Sequence, residues 1–540
     1  MSFDRAENIR RLGAESFDVV VIGGGITGVG CALDAASRGL RTALVERADF
    51  ASGTSSKSSK LVHGGLRYLQ QREVGLVYEA LAERQILRRN APHLVRTLPF
   101  LLPVFTSDGL INRRLARALG TVMWMYDLTG GLRIGKLHRR VGKDAAIAHM
   151  PTLRASRLAS AYIYYDARAD DARLTLTIAR TAAETGAAVV NRAAVAGFEK
   201  DDSGRVSGVR VRVDGSEIVV RTRSVVNATG VWADDVRALD EGSHPDSIRP
   251  AKGVHITVPW SKIRNDIAAV IPVRKDRRSV FVVPWGDFTY IGTTDTDYEG
   301  SLDDPQCTPT DIEYLLRAIN DVVTTPISEA DILGTWAGLR PLVKRAGSER
   351  TADLSRRHSV ISSKSGVVTV TGGKLTTYRR MAADAIDAVT SALDTKARSA
   401  TARLALSGAA QWDASGVSEH LASRYGSNGT FVKAIESARP ELAEPIVPGL
   451  PYSKAEVVYA ASDEMACTVD DVLSRRTRAR LLGRDASADA AAEVARLIAP
   501  ILGWDEATAA ASVADYRSLV DAERTSAALP ETALDAALGT

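Results

Sequence analysis

The chain has 540 residues, 45% of them hydrophobic, with 69 basic against 65 acidic side chains. A chain of this size buries more than one core, so we expect two or three domains in an ordinary globular protein. The charges form a mixed surface, which argues against nucleic-acid binding, and no apolar run approaches the roughly 20 residues that span a bilayer.

The cysteines and the N-terminal stretch indicate the compartment. Cys31, Cys307 and Cys467 are far apart and form neither a CxxC pair nor an even disulfide framework. The opening stretch MSFDRAENIRRLGAESFD mixes acids and bases and lacks the apolar core of a signal peptide. Both observations favour a reducing cytoplasm.

The first predicted unit, residues 17–50, reads as strand, glycine-rich turn, helix and second strand. Its apolar opening run is typical of a parallel strand buried on both faces. The turn carries G-x-G-x-x-G, which lets a pyrophosphate approach, and an acid ends the second strand, where it can accept hydrogen bonds from a ribose hydroxyl. The pattern predicts a dinucleotide site and disfavours NADP, whose extra phosphate would meet that acid. The residues assigned to this site are Gly23, Gly25, Ile26, Thr27, Gly28 and Glu46.

Residues 170–230 predict a return to the same domain. A helical pattern closes at Gly186, and strands follow. Asp214-Gly215 is a strong hairpin signal between alternating strands. The last strand ends in VVNATG, whose small residues suit a strand tip that lies close to a cofactor.

The second half of the chain changes character twice. Residues 250–340 are rich in strand signals and predict an inserted antiparallel sheet. Residues 366–393 then predict a strand, a Gly-Gly turn and an amphipathic helix, whose first N–H groups favour an anion or a carbonyl oxygen. After about residue 400 the Ala-rich sequence predicts helices.

This layout favours FAD over NAD, which remains the minority alternative. A flavin reductase that used a pyridine nucleotide would carry a second glycine fingerprint, and the sequence has none. We therefore predict an α/β protein with a discontinuous FAD-binding Rossmann-type domain, an inserted antiparallel β-rich substrate domain and a C-terminal helical domain. The expected divisions are residues 1–95, 166–245 and 341–395 for FAD, 96–165 for a segment facing substrate and membrane, 246–340 for substrate, and 396–540 for the helices.

The segment TSSKSSKLVHGGLRYL, residues 54–69, follows the second strand and combines hydroxyls, cations and glycines. Hydroxyls, backbone N–H groups and lysines are suitable partners for a pyrophosphate and for the edge of a flavin ring. We expect its first half to contact the cofactor and its second half to face the substrate. The further residues assigned to FAD are Thr54, Ser55, Ser56, Ser59, Lys60, Gly64, Gly65, Ala228, Gly230, Gly373, Lys374, Leu375 and Thr376.

Several motifs together resemble one family. They are VVVIGGGITGVG, TSSKSSKLVHGGLRYL, EALAERQIL, VVNATG, GTTDTDY, GLRPL, GGKLTTYR and TVDDVLSRRTRARLL. Over about residues 17–485 the chain resembles the FAD-dependent, quinone-linked (aerobic) glycerol-3-phosphate dehydrogenases. The resemblance implies oxidation of sn-glycerol 3-phosphate to dihydroxyacetone phosphate, with hydride passing from C2 to flavin N5 and electrons passing on to membrane quinone.

The resemblance also implies a phosphate-binding set. Arg67, Arg340 and Arg356 fall on positions that line the family's substrate pocket, and Tyr68 would add a hydrogen bond. Arginine suits this role because a planar guanidinium binds a phosphate through two parallel hydrogen bonds, which an ammonium cannot do.

Loss of hydride from C2 requires a base for the hydroxyl proton. His63, in HGG, and His255, in KGVHITVP, are two candidates, and the sequence does not rank them. Lys374 lies at a predicted helix start, where the helix dipole disfavours a positive charge, so a functional reason for it is expected. We expect Lys374 to stabilise an alkoxide or the edge of the flavin ring.

The expected partners are the substrate, its ketone product, quinone and the membrane surface, with a homodimer left open and no nucleic acid. Residues 112–140 combine arginines with Leu, Val, Met and Trp, as an interfacial helix requires, although a domain-packing helix fits equally well. LSRRTRARLL, residues 473–482, is instead expected to be a packed helix. We expect a cytoplasmic protein bound peripherally to the inner face of the cell membrane.

Three rival functions remain. A glycerol-phosphate oxidase would pass electrons to O2, but those relatives carry an insertion between the positions of Arg340 and Lys374, and only 33 residues lie between them here. An amino-acid oxidase would need residues placed to bind the carboxylate of its substrate, rather than this set of arginines. A non-catalytic FAD-binding sensor would not need convergent cations. No metal is expected, because DTDYEGSLDDPQ has Gln306 where a calcium loop has a bidentate Glu.

Overall fold

The computed structural model describes residues 3–65, 73–105, 120–121, 123–131, 134–273, 278–344, 357–414 and 416–539. The strands, in chain order, are β1 (Ser16–Phe17), β2 (Val19–Ile22), β3 (Thr42–Val45), β4 (Leu61–Val62), β5 (Arg96–Phe105), β6 (Arg139–Val141), β7 (Leu158–Arg168), β8 (Ala188–Val190), β9 (Ala193–Lys200), β10 (Val206–Val213), β11 (Ser216–Thr222), β12 (Val225–Asn227), β13 (Ile248–Pro259), β14 (Ala268–Pro272), β15 (Ser279–Trp285), β16 (Phe288–Gly292), β17 (Thr296–Asp297), β18 (Gly334–Val343), β19 (Ser359–Ser362) and β20 (Val367–Thr371).

The α-helices are α1 (Arg5–Ala14), α2 (Ile26–Ser37), α3 (Val74–Asn90), α4 (Lys143–His149), α5 (Asp171–Glu184), α6 (Ala233–Glu241), α7 (Pro309–Asn320), α8 (Tyr378–Ala392), α9 (Glu419–Tyr425), α10 (Gly429–Ala438), α11 (Lys454–Asp463), α12 (Ala479–Leu482), α13 (Arg484–Asp489), α14 (Ala491–Leu502), α15 (Glu506–Ser526) and α16 (Leu534–Leu538). Short 3-10 or π segments include Thr54–Ser56, Asp127–Gly131, Leu375–Thr377 and Asp471–Arg476. Within the described part of the chain, no helix combines the length and the apolar character needed to cross a membrane.

A six-stranded sheet in the order β19-β20-β12-β2-β3-β8 forms the dinucleotide domain. The strands from β20 to β8 run parallel, and every residue of β2 and β3 is buried. Apolar side chains on both faces of a strand require helices on both sides, which explains the continuous apolar run in the sequence. The first strand, predicted over residues 17–22, begins at Val19 instead, and Phe17 belongs to β1, which pairs with β11 in another sheet.

The predicted hairpin is confirmed, but it belongs to a second, four-stranded sheet in the order β1-β11-β10-β9. Asp214 and Gly215 have φ angles of 48° and 77°. Two consecutive left-handed residues are what a two-residue turn between right-twisted strands requires.

A ten-stranded, mainly antiparallel sheet forms the rest of the body, in the order β17-β13-β16-β15-β14-β5-β7-β4, with β18 on β13 and β6 on β7. Alternation along β13 gives this sheet two different faces. Val254, Ile256 and Val258 belong to a core shared with α7, whereas His255 points to the opposite face. That opposite face meets the segment that follows β3.

Helices α9 to α16 build the C-terminal domain around a separate core, to which Phe288 of β16 and Leu333, directly before β18, also belong. The stretch LSRRTRARLL is packed, as predicted, but it is not one helix, because the π segment Asp471–Arg476 and α12 are separated at Arg478, whose φ is 68°. Arg475, Arg476 and Arg478 are buried. They do not face solvent because they pair with acids of the dinucleotide domain. Arg475 Nε lies 2.6 Å and Arg476 Nη1 2.8 Å from Asp49 Oδ2.

Candidate active site

A cleft opens at the carboxyl ends of β2, β12 and β20, where open α/β sheets bind their ligands. Its empty volume is about 1290 Å³, part of it open to solvent. Of the residues assigned to the cofactor from the sequence, those that line it are Gly23, Gly25, Ile26, Thr27, Glu46, Thr54, Ser55, Ala228, Gly230, Gly373, Lys374 and Leu375.

The glycine-rich turn carries the helix start to the cleft. Gly23 has a φ of 108°, and a Cβ on Gly28 would collide with the carbonyl oxygen of Gly23, so neither position accepts a side chain. Ser55 Oγ accepts a hydrogen bond of 2.8 Å from the Ile26 N–H and so caps the first amide of α2. The remaining first-turn amides of the helix have no intrahelical partner and, with the helix dipole, suit an anion.

Glu46 follows β3 at the wall of the cleft. Its carboxylate accepts hydrogen bonds from Gly24 N at 2.6 Å and Ala48 N at 2.8 Å. Burial nevertheless raises the pKa of Glu46 above its usual range. The carboxylate therefore has a fixed orientation. Its remaining lone pairs can accept hydrogen bonds from the ribose hydroxyls, which is the role predicted from the sequence.

The segment after β3 crosses the face of the ten-stranded sheet that carries His255 and Trp336, and it buries both side chains. Thr54 Oγ1 donates to Leu339 O at 2.5 Å, Trp336 Nε1 donates to Ser58 O at 3.1 Å, and Tyr290 Oη donates to Ser59 O at 2.9 Å. A Cβ on Gly338 would lie 2.6 Å from Lys57 O. The two sheets are thus joined through this segment, which contacts the cleft on one side and the sheet on the other.

His255 lies on that face and is completely enclosed. Its ring stacks on Trp336, with centroids 4.8 Å apart and an interplanar angle of 8°, and Nε2 is 2.8 Å from Ser59 Oγ. Nδ1 is buried and has no hydrogen-bond partner among the described residues. Burial, assisted by the nearby charges of Lys60 and Arg340, lowers the pKa of His255 well below its usual value, so the imidazole is neutral.

Arg340 shares this face, because it is four residues beyond Trp336 on β18 and Trp336 is the cross-strand partner of His255. Its guanidinium donates to Asp295 Oδ1 at 3.0 Å and to Thr293 Oγ1 at 3.2 Å. The guanidinium lies over Gly253, where a Cβ would collide with Nη2. Gly253 and Gly338 are cross-strand partners, so bare backbone separates the histidine from the arginine.

His63 contacts the same face at a neighbouring strand. Its ring meets Phe281 edge-on, with centroids 6.0 Å apart, and Phe281 pairs with Gly292, the cross-strand partner of His255. The backbone N–H of His63 donates to Thr376 Oγ1 at 3.1 Å. HGG and GGKLTT, far apart in sequence, are therefore hydrogen-bonded neighbours.

The backbone of the next residue, Gly64, is fixed by hydrogen bonds that involve the buried Asp166. Its N–H points to Tyr126 Oη at 3.1 Å and to Asp166 Oδ1 at 3.3 Å. Tyr126 donates to Asp166 at 2.6 Å, and Arg84 forms an ion pair with the same carboxylate. A Cβ on Gly64 would meet Leu81 and Tyr126, so only glycine fits.

Lys60 does not line the cleft. Its ammonium is 3% exposed and donates to Ser56 O at 3.0 Å and to Asp171 Oδ1 at 3.1 Å. Burial and the nearby charge of Arg478 lower the pKa of Lys60 to about 8. Its cation therefore stabilises the segment internally instead of contacting a cofactor phosphate as the sequence suggested.

Two family models together match most of the chain. Residues 18–379 match the family model described as FAD dependent oxidoreductase, and residues 397–509 match the C-terminal domain of alpha-glycerophosphate oxidase. The chain is 44% identical to glycerol-3-phosphate dehydrogenase 2 of Mycobacterium tuberculosis, over 98% of this chain and 92% of that protein. It belongs to the FAD-dependent glycerol-3-phosphate dehydrogenase family.

Two further relatives agree with this family. The chain is 38% identical to the mitochondrial glycerol-3-phosphate dehydrogenase of Homo sapiens, over 91% of this chain and 71% of that protein. The crystal structure of the glycerol-3-phosphate dehydrogenase of Bacillus halodurans complexed with FAD superposes with a TM-score of 0.78 at 30% identity, covering 96% of this chain and 97% of that one.

The cleft of this family member fits FAD. Its glycines leave space that a Cβ would fill, its helix start offers amides to a pyrophosphate, and its acid can accept ribose hydroxyls. No group of three or more His, Cys, Asp or Glu side chains in the described ranges is arranged to hold a metal ion.

Other residues assigned from the sequence lie beside the cleft or outside the described ranges. Gly28, Ser56, Ser59, Gly64, Gly65 and Thr376 are described but do not line the cleft. Arg67, Tyr68 and Arg356 lie outside the described residues, as do residues 112–119, 122, 132 and 133 of the predicted interfacial stretch.

Two residues that line this dehydrogenase's cleft, Arg47 and Trp232, were not predicted from the sequence. The Arg47 guanidinium lies over the Trp232 ring, 4.5 Å from its centroid, and forms an ion pair with Asp303. Trp232 in turn contacts the position of Gly53. The only available signal was the placement of Arg47 and Trp232 directly after two predicted strand tips.

Proposed function

We propose that this protein oxidises sn-glycerol 3-phosphate to dihydroxyacetone phosphate, with FAD as the internal oxidant and a membrane quinone as the final acceptor. The observation that carries the proposal is the shared face of His255 and Arg340, separated by bare backbone and packed against the segment that lines the cofactor cleft. A base and a phosphate-binding cation on one face of the sheet match the two ends of this substrate. FAD, when bound, supplies the acceptor for the hydride that leaves C2.

Arg340 is proposed to bind the substrate phosphate. A phosphate monoester carries nearly two negative charges, and a planar guanidinium can donate two parallel hydrogen bonds to it. Asp295, 3.0 Å away, fixes the plane of the guanidinium, so little orientational freedom is lost on binding. Arg67, Tyr68 and Arg356 remain predictions for the same group.

His255 is proposed to accept the proton of the C2 hydroxyl. It is neutral, as a base must be before reaction, and Nδ1 still lacks a partner in the described part of the chain. Two cations, Lys60 and Arg340, depress its pKa. A dianionic phosphate beside Arg340 would offset that effect and raise the basicity of His255 when substrate binds. His63 remains the alternative acceptor.

Lys374 is proposed to stabilise negative charge at this end of the cleft. It lines the cleft next to Gly373, whose φ of 76° turns the chain into the helix start. Its Nζ atom is buried, so its field is little screened by water. The developing oxyanion of the substrate and the edge of the flavin ring are the two targets within its chemistry.

Peripheral attachment to the inner face of the cell membrane is proposed from an exposed apolar group beside the site. Trp124 and Leu128 are 54% and 71% exposed, and Tyr78 on the adjacent α3 is 52% exposed. Trp and Tyr suit the boundary between headgroups and acyl chains. Between the exposed pair, Tyr126 turns inward to Gly64, so this surface is one hydrogen bond from the HGG turn.

The acceptor can be tested by turnover with a soluble quinone analogue in air. We expect substrate-dependent reduction of the analogue to exceed hydrogen peroxide production, because quinone is the proposed acceptor. Peroxide formation at the full turnover rate would instead identify an oxidase. Glycerol, which lacks the phosphate, is the control, and equal turnover with glycerol would remove the role proposed for Arg340.

A further inference from the structure

Residues 54–60, called here the cofactor segment, are held by a buried network of hydrogen bonds. Asp171, the first residue of α5, is the centre of that network. Its side chain is completely buried. It accepts hydrogen bonds from Ser58 N at 2.9 Å, from Ser58 Oγ at 2.6 Å and from Lys60 Nζ at 3.1 Å. One carboxylate of the dinucleotide domain therefore fixes backbone, hydroxyl and ammonium groups of the segment.

Arg478 brings the C-terminal domain into the same network. Its side chain is 1% exposed, and Nη2 donates both to Asp171 Oδ1 at 3.0 Å and to Ser56 O at 2.7 Å. Lys60 contacts the same two groups, so the Ser56 carbonyl and the Asp171 carboxylate are bridged twice. The planar, forked guanidinium suits this geometry because it can donate to two acceptors with fixed directions.

The residues on either side of these bridges contact both halves of the site. Ser55 Oγ caps Ile26 at the start of α2, and Ser59 Oγ is 2.8 Å from His255 Nε2. A change in the backbone at Ser56 or Ser58 would therefore move the helix cap and the partner of the histidine together.

We propose that Asp171 and Arg478 are positioning residues that hold residues 54–60 in the conformation that binds FAD and orients His255. The C-terminal helical domain thereby completes the active site, although it contributes no residue to the cleft lining among the described residues. The part of this inference that concerns His255 rests on the proposed function, whereas the part that concerns FAD affinity does not.

The test compares Arg478→Gln with Arg480→Gln in the full chain. Arg480 belongs to the same motif, and it donates to Glu523 at 2.9 Å and to Leu519 O at 3.1 Å within the helical domain. Both changes remove a largely buried, paired cation, so both should lower the melting temperature. The Kd for FAD, measured by fluorescence titration of the apoprotein, should rise about tenfold or more in Arg478→Gln and less than about twofold in Arg480→Gln.

Equal changes in Kd for the two variants would overturn the proposal, because FAD affinity would then follow general stability. Arg478→Lys should fall between wild type and Arg478→Gln, since it keeps the charge but loses the fork. If Arg478→Gln does not fold, Ser58→Ala decides the question. It removes a hydroxyl bound to the buried Asp171, so it should lower the melting temperature and also raise the Kd for FAD about threefold or more, beyond the effect of Arg480→Gln, whereas an unchanged Kd would overturn the proposal.

The same variants separate this inference from the proposed function. If wild-type protein did not oxidise glycerol 3-phosphate but Arg478→Gln selectively weakened FAD binding, the positioning role would stand and the substrate would be wrong. If wild-type protein oxidised it and the two arginine variants had equal Kd values, the substrate would stand and the positioning role would be wrong.

Discussion

Gly338→Ala should move the cofactor segment away from the ten-stranded sheet by a distance that follows from the packing at Gly338. Gly338 is buried in β18, between Trp336 and Arg340 on the shared face. An added Cβ would lie 2.6 Å from Lys57 O and 3.0 Å from Lys57 Cβ. A carbon and a carbonyl oxygen in ordinary contact are about 3.3 Å apart. The backbone of the segment must therefore shift by about 0.7 Å.

A shift of that size breaks specific contacts. The Ser59 to His255 hydrogen bond, 2.8 Å long, would lengthen to about 3.5 Å and cease to be effective. Overpacking of a buried position costs about 1–3 kcal/mol of stability. Misplacement of catalytic groups by almost 1 Å can lower rates up to about 100-fold. We expect kcat/KM for glycerol 3-phosphate to fall about 10- to 100-fold.

The assay measures kcat/KM with a quinone analogue, together with the Kd for FAD and the melting temperature. Gly13→Ala is the matched control, because Gly13 lies in α1 and an added Cβ there meets nothing within 4 Å. That control should retain wild-type activity and gain up to about 1 kcal/mol of stability. If Gly338→Ala retained wild-type kcat/KM and FAD affinity, the packing of the segment on this face would not control the site.

Arg340→Lys should raise KM for glycerol 3-phosphate about 10- to 100-fold with bound FAD retained, and an unchanged KM would exclude Arg340 from phosphate binding. His255→Asn should lower kcat/KM about 100-fold or more while His63→Asn has a smaller effect, and the opposite ranking would make His63 the proton acceptor. Burial and the nearby Arg173 lower the pKa of His93 to about 4, so the unfolded chain takes up that proton first as pH falls from about 6.5. His93 should therefore cost the native state about 3 kcal/mol by pH 4, and His93→Phe should reduce the fall in melting temperature between pH 7 and pH 4.5, provided that both proteins fold equally at pH 7. An identical fall in both proteins would show that His93 is not the titrating group.

The local units of the fold could be predicted from sequence because their signals lie close together in the chain. The glycine fingerprint, the Asp214-Gly215 turn and the Gly372-Gly373 turn each specify backbone geometry within a few residues. Backbone constraints of that kind do not depend on distant partners, so the strands and helices that flank them form where the pattern indicates.

The pairing of strands across the large sheet could not be predicted in the same way. β5 and β7 join β14 at one end of the inserted strands, and this pairing depends on contacts between residues more than a hundred positions apart. Periodicity identifies a strand but not its neighbour. The sequence therefore indicated an antiparallel domain without indicating that residues 61–62, 96–105 and 158–168 belong to it.

Lys60 illustrates the same limit within the site. A lysine among serines beside a nucleotide fold reads as an anion ligand, since sequence shows the charge but not the direction of the side chain. Its acid, Asp171, is 111 residues away, and Arg478, which shares the Ser56 carbonyl, is 422 residues from that serine. Only the assembled fold shows that the lysine stabilises the segment from within.

We expect this chain to carry FAD and to reduce it with glycerol 3-phosphate. The most direct measurement is the visible spectrum of purified protein under anaerobic conditions as glycerol 3-phosphate is added. We predict a yellow protein whose flavin band is bleached by glycerol 3-phosphate and not by glycerol. A flavin band that kept its full absorbance at saturating glycerol 3-phosphate would contradict the claim.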